Sequence, residues 1–122
     1  MFFPASGWFA AFVLTLAIEA AIAVVLLARA ESSSVRLGLL VLFANLATHP
    51  LVWYVFTQLF LVGTLEYVLA AETWAVAAEA VFYATAIRGL SARRAVAVAM
   101  TANAASFLMG RVIGQLWPEL FR

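Results

Sequence analysis

The sequence predicts an all-α, polytopic membrane protein: four transmembrane helices arranged as two parallel-repeat helical hairpins. Three observations lead there. Of the 122 residues, 67% are hydrophobic and only 11% charged, with a mean hydropathy of +1.08. A water-soluble domain usually carries about a quarter charged residues, so the bilayer is the main solvent. Apolar runs recur between short polar breaks, and at about 20 residues per crossing the length is accounted for by four spans. Finally, the polar residues of the first two runs recur in the last two. The whole of 1–122 therefore reads as a single transmembrane domain whose first partner is the lipid bilayer.

The first helix is expected over 8–28. Ala28-Arg29-Ala30 resembles a signal-peptide cleavage site, but no Lys or Arg precedes the apolar run and Glu19 lies inside it, so the segment reads as a retained span. The second helix is expected over 37–61, with Pro50 removing a backbone donor and kinking it near Asn45 and Leu46. After the short link Val62-Gly63-Thr64 the third helix runs over 65–87. The fourth covers 95–117 and stops at Pro118. Arg29, Arg36, Arg88, Arg93 and Arg94 all fall in or beside loops 29–36 and 88–94. The positive-inside rule then makes those loops cytoplasmic and places the termini outside, in a bacterial-type inner membrane.

The repeat pairs 8–61 with 65–117. Ala44-Asn45-Leu46-Ala47-Thr48 matches Ala102-Asn103-Ala104-Ala105-Ser106, Arg36 precedes Asn45 by nine positions as Arg94 precedes Asn103, and Glu19-Ala20 matches Glu79-Ala80. Both halves cross in the same direction, which is a parallel repeat about an axis along the membrane normal. Counted from the cytoplasmic helix ends, Glu19, Asn45, Glu79 and Asn103 all lie at about 12 to 14 Å depth. Thr48 and Ser106 follow about one turn further out, beside His49. The expectation is one polar belt across the bundle.

A mid-membrane carboxylate costs about 3 kcal/mol or more to insert, so it faces the bundle interior and needs partners. Two readings of the belt stand side by side. In one, Glu19 and Glu79 bind a cation or a proton, with Asn45 and Asn103 as neutral oxygen ligands and Thr48 and Ser106 completing the shell. In the other, each Glu is neutral and donates to an Asn amide, tying helices together. Glu72 and Glu79 are seven apart, with Tyr83 four further on the same helical face. Arg111 falls at about the depth of Glu72 and is expected to pair with it, or else to attract anions at the outer mouth of a cavity. His49, just before Pro50, reads as a hydrogen-bonded core histidine, with metal binding beside Glu72 and Glu79 or proton relay as the alternatives.

Several function classes are excluded or demoted. There is no cysteine, so no disulfide, thiolate nucleophile or Cys-based metal site, and a net charge of +1 provides no nucleic-acid footprint. No metalloprotease helix, nucleophile elbow or phosphate loop occurs, which places a membrane-embedded enzyme third. Ahead of it stand cation or proton binding for transport, with a bound cation as the conceivable cofactor, and a non-catalytic accessory subunit of a larger membrane complex. Gly110-Arg111-Val112-Ile113-Gly114 is a GxxxG that suits internal packing or a homodimer.

Asn45-x-x-Thr48-His49-Pro50-Leu51, the Glu72, Glu79 and Tyr83 set, and Asn103-x-x-Ser106-Phe107-x-x-Gly110 together resemble a family of small four-helix bacterial membrane proteins. The resemblance spans helices two to four; it implies the fold and no activity. The segment from Asn103 to Gly110 is also similar to a helix of the four-span fluoride channels. Those channels carry a polar Thr-Phe-Ser-Thr type break in their third helix, where this chain has Glu72 and Glu79, so that local match reads as convergence.

Overall fold

The computed structural model describes residues 5–122. It is all-α. Helix α1 spans Ala5–Leu27 and α2 Ser34–Pro50; α2 continues through a π-helical turn, Leu51–Val55, into the short α3, Phe56–Leu59. Helices α4, Leu65–Ala86, and α5, Ala92–Leu116, complete the bundle, and a 3₁₀ turn, Pro118–Phe121, follows. Three rods are long and apolar enough to cross a membrane: 7–27, 34–59 and 92–116. Helix α4 has 22 residues but carries Glu66, Glu72 and Glu79.

Helix starts are set by hydroxyl caps. Ser33, Thr64 and Ser91 accept from the backbone N–H three residues on, at Arg36, Tyr67 and Arg94. Each satisfies an orphan donor of the first turn. Hydropathy alone places the second and fourth starts at 37 and 95; the caps move both three residues upstream, to Ser34 and Ala92. Gly63 and Gly89 turn the chain with φ of +88° and +79°, a conformation that favours glycine.

Pro50 does not disturb the helix where the sequence suggests. Backbone remains α-helical through Asn45 and Leu46, and the irregularity comes after the proline, as the π turn. Three successive carbonyls there are taken up by side chains: Tyr67 donates to Val52 O, Thr57 to Trp53 O and Gln58 to Tyr54 O. A non-helical stretch is tolerated within a span when its backbone groups find such partners.

The four rods form a ring in which α1 packs on α2 and α5, and α4 packs on the same two, so α1 faces α4 across the diagonal. The interior is built from small side chains, including Ala23, Ala44, Ala75, Ala80, Ala95 and Ala99. Large ones point outward, among them Phe9, Val25, Leu59, Leu69, Val81 and Leu108. That inversion of the soluble pattern lets backbones approach closely and leaves an apolar outer surface. Toward the Arg-bearing loops the core is solid, with Leu27, Leu37, Val41, Tyr83, Ile87 and Val98 in one cluster. Two arginines tie that end together: Arg36 donates to Ala86 O at 2.6 Å, and Arg94 to Leu26 O at 3.1 Å. Each arginine at a helix start thus caps the C-terminal carbonyls of a helix in the other hairpin. At the opposite end the 3₁₀ turn folds back on α1, where a Cβ at Gly7 would stand 2.5 Å from Phe121 O.

Candidate functional site

Glu19 and Glu79, both 1% exposed, lie in one layer between the diagonal helices and are linked through Ser106, which reaches Glu19, and Asn103, which reaches Glu79. Each is held by the asparagine of its own hairpin. Asn45 Nδ2 donates to Glu19 Oε2 at 2.6 Å and to Val41 O at 3.0 Å; Asn103 Nδ2 donates to Glu79 Oε2 at 2.6 Å and to Ala99 O at 2.9 Å. The second bond decides what the amide offers. A backbone carbonyl must face an N–H, so the nitrogen edge of each amide is turned inward. Asn45 and Asn103 therefore present hydrogens to the carboxyls, not the oxygen ligands expected for a cation shell.

The hydroxyl residues diverge. Ser106 Oγ lies 3.0 Å from both Glu19 Oε1 and Asn103 O, joining α5 to α1. Thr48 donates to Ala44 O of its own helix at 3.1 Å and makes no bond to a glutamate. Tyr83, four residues beyond Glu79 and fully buried, has a hydroxyl without a partner among the described residues.

Above this layer, away from the Arg-bearing loops, the bundle opens into a cavity of about 350 Å³. Glu19, Asn45, Asn103 and Ser106 contribute to one end of it, and Ala11, Thr15, Val52, Val68 and Ala71 to its apolar walls. His49, Trp53, Tyr67, Phe107, Glu72 and Arg111 line it as well. The π turn is what brings Val52 and Trp53 to this wall.

The expected Glu72–Arg111 salt bridge does not form. Among the described residues the two make no ion pair, and the Arg111 guanidinium instead sits over the Phe107 ring, 6.0 Å from its centroid. Equal depth did not bring them together because the rotation of each helix about its axis, not its height, directs the side chain. His49 is also not the hydrogen-bonded core histidine the sequence favoured. Its ring stacks on Trp53 at 6.0 Å and meets the edge of Phe12 at 5.4 Å, while Nδ1 has no partner among the described residues. No group of three or more His, Asp or Glu side chains among those residues is placed to hold a metal ion, so His49, Glu72 and Glu79 do not form a ligand set.

The GxxxG stripe is not a helix seam within the chain. A Cβ at Gly110 would meet nothing within 4 Å, since it borders the cavity, and a Cβ at Gly114 would stand 3.5 Å from the Phe121 ring. Sequence reasoning missed the aromatic lining. Trp53 could have been found from its position four residues after His49, on the same helical face; Tyr67 and Phe107 carry no such signal. No protein-family model matches the chain, and neither a curated protein nor a solved structure matches it.

Proposed function

We infer that the chain is a four-span inner-membrane protein that binds and releases a proton at the Glu19–Glu79 pair as part of a transport cycle. The observation that carries this reading is the pair itself. Two carboxyls buried in one layer away from water are most stable when one of them is protonated, because two negative charges close together repel. The surrounding bonds suit a proton better than a metal ion: the asparagines offer N–H groups, which a cation would repel.

Ser106 supplies a way to register the proton. Its single hydrogen has two acceptors at equal distance, Glu19 Oε1 and Asn103 O. When Glu19 is ionised, Ser106 donates to it. When Glu19 carries the proton on Oε1, Glu19 donates to Ser106 and Ser106 donates to Asn103 O, so the Ser106–Glu19 bond persists in both states and only its direction reverses. The cavity provides the path from one side, and the packed core around Tyr83 closes the other.

On this reading α4 crosses with the other three helices, its two interior glutamates turned from lipid, and loops 29–36 and 88–94 lie in the cytoplasm. The recurrence of Glu-Asn and Arg-carbonyl bonds in both hairpins supports a parallel repeat.

The test is infrared difference spectroscopy of the purified protein together with proton flux in liposomes. A protonated-carboxyl band at neutral pH, lost in both Glu19→Gln and Glu79→Gln along with the flux, is expected. Absence of the band in the wild type would leave the pair as interhelical glue and favour the accessory-subunit reading.

A further inference from the structure

Glu72 has no role in the proton pair, yet it lines the cavity, and its carboxyl makes no hydrogen bond or ion pair among the described residues. Such a group, half-buried in the cavity wall, loses hydration without receiving a partner. The rings of Trp53, Tyr67 and Phe107 line the same cavity. The acidic residues of the lining are Glu19 and Glu72, and its positive charge is Arg111, whose side chain is exposed and already engaged with Phe107. The volume of about 350 Å³ falls in the range of small-molecule sites, about 300 to 1,000 Å³.

We propose that this cavity binds a monovalent organic cation with an apolar body, its charge against Glu72 and its body against Trp53, Tyr67 and Phe107. The inference rests on the reading of the chain as a membrane transporter and assigns its substrate class. Charge complementarity selects the occupant. An anion would be repelled by Glu72 and Glu19, and a neutral apolar molecule would bury the Glu72 carboxyl unpaired. An inorganic divalent ion finds no group of three acidic or imidazole ligands among the described residues. An ammonium or guanidinium group answers the carboxylate, and aromatic faces attract the same charge through their quadrupoles. Phe107 already accepts one such cation, Arg111, on its ring. A cation entering next to Glu19 also meets the proton held at the Glu19–Glu79 pair, so the two charges compete for one acidic layer, as exchange of a proton for a substrate requires.

The experiment is calorimetric titration of the detergent-purified protein with benzyltrimethylammonium, with benzoate as an anion of similar size. Saturable binding of the cation, at least tenfold weaker in Glu72→Gln and several-fold weaker in Phe107→Leu, is expected, with no heat of binding from benzoate. Because Glu72 has no partner among the described residues, Glu72→Gln should melt as the wild type does, which separates lost binding from lost folding. Equal affinity in Glu72→Gln, or benzoate binding as tightly as the cation, overturns the proposal. The protonated-carboxyl band keeps the two readings apart: the band without cation binding removes the substrate assignment alone, whereas cation binding without the band removes the proton site alone.

Discussion

Ser106 on α5 places its hydroxyl oxygen 3.0 Å from Glu19 Oε1 on α1, across 87 positions of chain. Thr48, which follows Asn45 by three positions as Ser106 follows Asn103, bonds only to carbonyls of its own helix. The two hairpins thus share the Glu-Asn bond and differ in the hydroxyl beside it, so Glu19 has a partner that Glu79 lacks.

That difference gives unequal mutants. Ser106→Ala should destabilise the folded bundle by about 0.5 to 1.5 kcal/mol, in the range of interhelical hydrogen bonds in membranes. Thr48→Ala should cost less, because its bond to the helix backbone competes with nothing across the interface. Reversible unfolding in mixed micelles measures both. Equal losses would show that the α5–α1 bond contributes nothing particular.

The asparagines should behave alike. Asn45→Leu and Asn103→Leu each strip a buried carboxyl of its donor, at a cost of about 1 to 3 kcal/mol. With amide-to-carboxyl distances of 2.6 Å in both hairpins, the two losses are expected to agree within about 0.5 kcal/mol. A clear inequality in the same unfolding assay would speak against equivalent halves.

Accessibility from one side follows from the position of the cavity. The chain has no cysteine, so single replacements report without background. Thr15→Cys and Ala71→Cys, on the cavity wall, should react with a membrane-impermeant maleimide added from the side of loop 60–64. Val41→Cys and Ala99→Cys, in the packed core, should stay unlabelled from either side. Labelling of the second pair from the Arg-bearing side would mean that the core there is wet.

Tyr83→Phe is expected to be neutral or to stabilise by up to about 1 kcal/mol, since it removes a buried hydroxyl that has no partner among the described residues. Thermal unfolding checks this. A loss above about 1 kcal/mol would indicate that the hydroxyl holds a bond, with Glu79 one turn away as the nearest carboxyl on its helix.

The amino-acid sequence by itself determined that the chain is helical, that it is too apolar to face water, and that Glu19, Asn45, Glu79 and Asn103 share one layer. These follow from quantities that add along the chain: hydropathy, the rise per residue, and the spacing of polar positions on a helix. Even the pairing of each Glu with the Asn of its own hairpin was within reach, because adjacent antiparallel helices bring equal depths together. Tertiary structure decided everything that depends on how each helix is turned about its axis and how wide the bundle is. It sent Arg111 to Phe107 instead of Glu72, turned the amide hydrogens of Asn45 and Asn103 inward, and set Ser106 but not Thr48 against a glutamate. It also moved the effect of Pro50 into a π turn and opened a cavity at one end of the ring. Depth is a one-dimensional property that a sequence carries; azimuth emerges only when four helices pack, because each rotation is fixed by the neighbours' side chains.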